Sequence, residues 1–128
     1  MERVEVASTR VTEMISITAQ VQRAVTELGL HDGVCHVFVP HTTAAVTINE
    51  SADPMVADDV LHVIDRLIPF SDPGYRHLEG NSAAHLKAIL VGSSETVPVE
   101  GGRLVLGPWQ GIFFCEFDGP RQRHVLVG

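Results

Sequence analysis

No stretch of the 128 residues approaches the roughly 18 consecutive apolar residues needed to cross a bilayer. Met1 to Arg10 also lacks the apolar core of a secretion signal. The sequence therefore predicts a cytoplasmic protein with no membrane partner. Cysteine is scarce, with two residues in all. Cys35 and Cys115 each lie in an apolar run, where a thiol behaves as a small hydrophobe. A disulfide between them would need an oxidising compartment. Positive charge is short as well: nine Lys and Arg face 16 Asp and Glu, for a net charge of -7. Such a surface repels a phosphate backbone, and no basic stripe offsets it, so nucleic acid is not expected as a partner. A small phosphorylated ligand held by a few local donors is compatible with it. Internal repeats, low-complexity tracts and linkers are also missing. Residues 1–128 thus read as one domain, close to the commonest domain size.

What is present is enough apolar residue for a core, 45% of the chain, and a pattern that switches between strand and helix periods. Glu5 to Ser16 reads as a strand or the start of a hairpin. Thr18 reads as the N-cap of a helix whose stripe is Val21, Ala24, Val25 and Leu28, with Gly29 as its stop. After an Asp32-Gly33 turn, Val34 to Pro40 is an apolar strand. Alternation then continues from His41 to Glu50, with His41, Thr43, Ala45, Thr47 and Asn49 on one face. Asp53 and Pro54 open a second helix. Its predicted buried stripe is Val56, Val60, Leu61, Ile64, Leu67 and Ile68. Pro69 to Gly80 is a loop. Five strand-like runs follow: His85 to Val91, Glu95 to Glu100, Arg103 to Leu106, Gly111 to Asp118 and Gln122 to Val127. Gly101-Gly102 and Asp118-Gly119-Pro120-Arg121 read as tight turns. The expected fold is α+β, a compact antiparallel β-sandwich-like core with two main flanking helices.

Seven histidines in so short a chain invite a site, because imidazole is both the common metal ligand and the near-neutral acid or base. His41, with Thr43 after it, follows Pro40 at a strand end. It reads either as a ligand on a rigid platform or as an exposed histidine bonded to a neighbouring carbonyl. Glu50 and Asp59 could hold a divalent cation or supply a general base. Asp53 is explained by capping, and Asp58 by solvation. Strict alternation puts Glu50 on the face opposite His41, so the two share a site only if the strand ends or bulges. A loop carries His77, Asn81 and His85. That spacing matches no zinc-finger or HExxH pattern, yet with His41 it would give three imidazoles and an open position, as in catalytic zinc sites. Glu116 and Asp118 face Arg123 and Arg121 if Gly119-Pro120 turns the chain. Those four read as cross-strand ion pairs, or the arginines receive a phosphate. Trp109 reads as core or interface, and Gln110 could cap a pocket.

Taken together, Pro40-His41-Thr42-Thr43-Ala44, Asn49-Glu50, Asp53-Pro54, Tyr75-Arg76-His77, Asn81, Ala84-His85, Val97-Pro98-Val99, Leu106-Gly107, Trp109-Gln110 and Glu116-Phe117-Asp118-Gly119-Pro120-Arg121 resemble the YjbQ family in order and spacing, over nearly the whole chain. The resemblance implies an α+β fold assembled as a homotrimer. It also implies a weak, secondary thiamine-phosphate synthase activity, in which a pyrimidine diphosphate joins a thiazole phosphate and pyrophosphate leaves. It places the family's polar residues on His41, Glu50, Asp59, His77, Asn81, His85, Gln110 and Glu116. Three functions follow as expectations. The first is that transferase, with Glu50, Asp59, Asn81 and Glu116 catalytic and Arg121, Gln110 and Thr43 holding ligand. The second is a zinc hydrolase with His41, His77 and His85 as ligands. The third is a trimeric binding module without catalysis. For diphosphate departure a divalent ion, Zn²⁺ or Mg²⁺, is expected to neutralise developing charge.

Overall fold

Eight strands and three helices account for the regular structure in a computed structural model that describes all residues, Met1–Gly128. They run in the order β1 (Glu2–Ala7), β2 (Glu13–Ser16), α1 (Thr18–Leu28), β3 (Gly33–Phe38), β4 (Ala44–Glu50), α2 (Pro54–Leu67), α3 (Ser82–Val91), β5 (Ser94–Glu100), β6 (Arg103–Leu104), β7 (Gln110–Glu116) and β8 (Gln122–Val127). Every strand pairing is antiparallel. One sheet has the order β1-β8-β3-β5-β6 and the other β2-β7-β4. The α+β class and the antiparallel core agree with expectation. No helix is long and apolar enough to cross a membrane.

The layers follow from which faces are apolar. Val21, Ala24 and Val25 of α1 pack with Val37, Val97, Val125 and Val127 of the larger sheet and with Val46, Ile112 and Phe114 of the smaller one. Alternate residues of β7 point the other way. Phe113, Cys115 and, just beyond the strand, Phe117 form a second cluster with Ala84 and Ala88 of α3, flanked by Leu61 and Ile64 of α2. The smaller sheet is thus covered on both faces, which is why β7 reads as a continuous apolar run. Burial pushes the Cys115 thiol up to about 12 and also raises that of Cys35. Neither is a thiolate near neutrality.

Three local expectations change. His85–Val91 lies on α3 and is not a strand. The face of α3 that packs inward is small, Ala83, Ala84 and Ala88 with Lys87, while Leu86, Ile89 and Leu90 are exposed. Apolar residues all round gave no helical stripe to read. The predicted stripe of α2 contains no fully buried residue in the single chain: Leu61 and Ile64 touch the second cluster, but Leu67 is 68% exposed. Thr18 does not cap α1. Its Oγ1 accepts from the Ile112 amide at 2.8 Å, fastening the helix to β7. Asp53 does cap α2, accepting from the Met55 amide at 2.9 Å, and Gly29 ends α1 with φ of 67°.

Candidate functional site

The residues that the sequence suggested for one site fall at two ends of the β4–β7 ladder. Ala44 pairs with Glu116 at one end and Glu50 with Gln110 at the other. Six residue steps of strand separate them, about 20 Å at roughly 3.3 Å per step. His41, Thr43, His77, Asn81, His85, Glu116 and Arg121 gather around the first end. Glu50 and Gln110 lie at the second. Asp59 is exposed on α2 and lines neither.

The first end is a corner where the chain changes sheets. Proline has no amide to donate, and Pro40 follows β3; the chain then crosses through His41–Thr43 into β4 of the other sheet. The Asp118–Arg121 turn makes the reverse crossing, from β7 to β8. The two expected ion pairs do form. Glu116 on β7 and Arg123 on β8 belong to different sheets, so their pair bridges the sheets, whereas Asp118 and Arg121 pair within the turn that connects them.

Glu116 and Arg123 form the buried floor. The Glu116 side chain is fully buried and its carboxylate meets Arg123 at 2.6 and 3.0 Å, the Ser8 hydroxyl at 2.7 Å and the Asp118 amide at 3.1 Å. Burial alone would raise this carboxyl. Its bonds from Arg123, Ser8 and Asp118 outweigh that and hold it below its ordinary 4.5. Both oxygens are engaged, so Glu116 fixes geometry and has no free lone pair facing solvent. Arg123 also donates to Thr43 Oγ1 at 2.7 Å, leaving the Thr43 hydroxyl proton free to donate. The Gly119 backbone closes over this floor. A Cβ there would stand 2.1 Å from the Arg10 carbonyl oxygen and 2.7 Å from Ser8 Oγ. Gly119→Ala is therefore expected to lose at least about 1–3 kcal/mol, the usual cost of overpacking. A urea melt checks it; an unchanged midpoint would contradict the close approach.

Above the floor lies a hollow of about 280 Å³ lined entirely by polar residues, among them Thr42, Thr43, His77, Asn81, His85 and Arg121. Asn81 stands at the start of α3 but does not cap it with its side chain. Its amide reaches across to Asp118 Oδ2 at 2.9 Å. Asp118 in turn takes Arg121 on its carbonyl at 2.8 Å and its carboxylate at 3.1 Å. Arg121 is thereby aimed while its side chain stays half exposed. Asn81 Oδ1 is buried without a partner. The His77 and His85 rings meet edge to face, with centroids 5.2 Å apart. On its other side His85 lines a second hollow of about 330 Å³ with His41, Thr42 and Ser93. His85 also borders a third, with Tyr75, Arg76 and His77.

His41 is held differently. Its Nε2 lies 3.1 Å from both the carbonyl oxygen and the amide nitrogen of His124. Burial, with Arg123 nearby, keeps its imidazole below the ordinary 6.5, hence neutral at pH 7. His41 is thus bonded to backbone, one of the two roles its position at a strand end suggested. The three histidines meet through His85, which shares one hollow with His41 and another with His77. Within one chain no three His, Cys, Asp or Glu side chains are grouped closely enough to hold a metal ion.

Sequence reasoning passed over His124, Glu79 and Ser8. Nothing local marks Ser8, which reaches Glu116 across 108 positions. It also missed Lys87, buried on α3 and paired with Asp65 of α2. A lysine inside an apolar run was the available signal.

Comparison with known proteins agrees with this architecture. Residues 2–128 match the model of the family described as UPF0047 protein YjbQ-like. The UPF0047 protein YugU of Bacillus subtilis is 49% identical over 127 residues, covering 99% of this chain and 96% of that one. A UPF0047 protein of Archaeoglobus fulgidus is 49% identical over 117 residues, or 90% and 89% of the two chains. Among solved structures, a YjbQ/UPF0047 family protein of Clostridium acetobutylicum superposes with a TM-score of 0.97 at 48% identity, covering 100% and 98%. A conserved hypothetical protein of Thermus thermophilus gives 0.93 at 46%, with the same coverage. With sequence and fold matched over nearly its full length, the chain belongs to the YjbQ-like UPF0047 family.

Proposed function

We propose that this chain is a transferase acting on small phosphorylated substrates, of the thiamine-phosphate synthase type, and that its chemistry takes place around His85. The observation that carries the reading is the placing of His85: it borders three adjoining hollows, one of them wholly polar and holding Arg121 and His77. In the reaction the carbon–oxygen bond to diphosphate breaks and a carbon–nitrogen bond to the thiazole phosphate forms. Negative charge grows on the departing pyrophosphate. Arg121, aimed by Asp118 and Asn81, presents a preorganised cation to it, and the Thr43 hydroxyl and His77 add donors. His85 supplies the proton the leaving oxygen takes up. Glu116 and Arg123 hold Thr43 and the Asp118 turn in register.

His77 and His85, two imidazoles in contact, would hold a divalent ion, with substrate phosphate as the harder oxygen ligand. When bound, the ion supplies further charge neutralisation. The zinc-hydrolase reading is weaker, because it needs His41, whose Nε2 is engaged by His124.

The direct test supplies the full chain with the pyrimidine diphosphate and the thiazole phosphate. Thiamine phosphate and pyrophosphate are expected in equal amounts. Absence of both, with authentic substrates at saturating concentration, would refute the assignment.

The assembly forms part of the proposal. The family resemblance supplies the number, three copies. The outer face of α2 and α3 supplies a surface, with Val63 50%, Leu67 68%, Ile89 77% and Leu90 60% exposed. Large apolar residues left exposed on two helices joined by the Lys87–Asp65 pair suit an interface. Sedimentation at micromolar concentration is expected to return three chain masses, and Ile89→Asp to lower that number. A monomeric parent protein would refute the homotrimer.

A further inference from the structure

Glu50, Gln110 and Trp109, which the His85 hollows leave unused, direct attention to the other end of the β4–β7 ladder. There the molecule has a cleft of about 530 Å³, lined by Ser16, Thr18, Gln22, Ser51, Arg103 and Leu106 with Ala19 and Leu104. That volume is in the range of small-molecule sites. We propose that this cleft is a second binding site, independent of the His85 hollows, for a small organic anion: a carboxylate or phosphate head on an apolar or aromatic body.

The cleft is built, and its walls are tied together. Gln22 of α1 donates to the Gly102 carbonyl at 2.9 Å and accepts from the Leu104 amide at 3.0 Å, so α1 and the β5–β6 hairpin cannot drift apart. Thr18 is fastened to β7 through Ile112, and the Ser51 amide donates to the Trp109 carbonyl at 2.9 Å. Gly111 lets these parts meet. A Cβ on it would lie 2.6 Å from Ser51 Cβ and 3.1 Å from Thr18 Oγ1.

Its chemistry runs against the rest of the surface. The chain carries a net charge of -7, yet no Asp or Glu is among the residues lining the cleft. Arg103 belongs to none of the ion pairs and makes no side-chain hydrogen bond, unlike Arg121 and Arg123 at the other end. Ser16 and Ser51 hydroxyls are likewise unengaged. Thr18 Oγ1 only accepts, so its proton is free. The result is a guanidinium and three hydroxyl donors with no carboxylate among the lining residues, the donor set of an anion site; Glu100, opposite Arg103 on the β5–β6 ladder, forms no ion pair with it. Leu104, Leu106 and Ala19 provide apolar wall for the remainder of the ligand. Trp109, the only tryptophan, is 64% exposed and joined to Ser51 through its backbone. Its emission therefore serves as a probe of this end of the molecule.

The full chain is titrated with phenyl phosphate and, separately, with benzoate, following Trp109 emission and the backbone amide NMR shifts of Ser16, Ser51 and Leu104. Saturable changes are expected with at least one of the two probes, and the tighter one identifies the head group. Arg103→Ala, an exposed substitution, should weaken binding by about tenfold or more, the loss of a charge-assisted contact. The same variant should leave thiamine-phosphate formation unchanged, whereas His85→Ala should leave cleft binding unchanged. Failure of both probes to saturate below roughly 10 mM, a dissociation constant too weak for a built site, would overturn the proposal. So would equal binding by Arg103→Ala and the parent protein. Neither result bears on the His85 chemistry, which the product assay reads separately.

Discussion

Glu116→Gln is expected to destabilise the protein by about 3–5 kcal/mol, the usual cost of removing one partner from a buried ion pair. The substitution leaves the Arg123 guanidinium with a neutral partner while both side chains remain enclosed. Chemical denaturation at pH 7 measures it, and an unchanged midpoint would contradict the buried pairing. Glu116→Gln combined with Arg123→Met should lose less than Glu116→Gln alone, because no unpaired charge is then trapped. The same residues set the acid response. Glu116 has a folded value below its ordinary 4.5, so its contribution is complete above pH 4.5 and is lost as pH falls through the folded value. His41 has a folded value below its ordinary 6.5. The unfolded chain therefore takes up that proton first, and stability starts to erode as pH drops below 6.5. Both effects have the same sign. Stability should fall from pH 6.5 downward and more steeply below 4.5, and a flat profile between pH 7 and 4 would oppose both assignments.

His85→Ala is expected to lower thiamine-phosphate formation by about 10²- to 10⁴-fold, the range for a lost general acid or base. His85 is half-buried at the junction of the hollows and belongs to neither apolar cluster. The denaturation midpoint should therefore move little, which separates this variant from Glu116→Gln. Arg121→Ala should act mainly on KM, since its guanidinium holds phosphate and its loss frees Asp118 without opening the core. Asn81→Ala should resemble a weaker Arg121→Ala, because Asn81 orients Arg121 through Asp118. Chelation, followed by metal return, tests the ion separately. Unchanged product formation by His85→Ala would remove His85 from the mechanism.

The helix α2 start, the α1 stop at Gly29 and the paired roles of Glu116 with Arg123 and Asp118 with Arg121 were all legible along the chain. Each depends on residues that are close in sequence, or on one turn between two short runs. The helical state of Ser82–Val91 was not legible, because its inward face is alanine and its outward face leucine and isoleucine. Hydrophobic periodicity signals burial against something. Here the large apolar residues of α3 face away from the single chain.

The sequence by itself determined the α+β class, the antiparallel alternation and the supply of histidine, arginine and carboxylate between His41 and Arg123. Those follow from local period, turn chemistry and side-chain type. Only the tertiary structure decided which of those groups share a site. It put β3 and β8 in one sheet and β4 and β7 in the other, so Thr43 and Arg121 line one hollow at a corner where the chain changes sheets. It set Glu50 and Gln110 at the opposite end of the same ladder, with Arg103 and Ser51 close to that end. Strand length is the reason: a run of seven residues fixes what faces each side, but its two ends are separated by about 20 Å. What gathers at each end depends on elements far away in sequence.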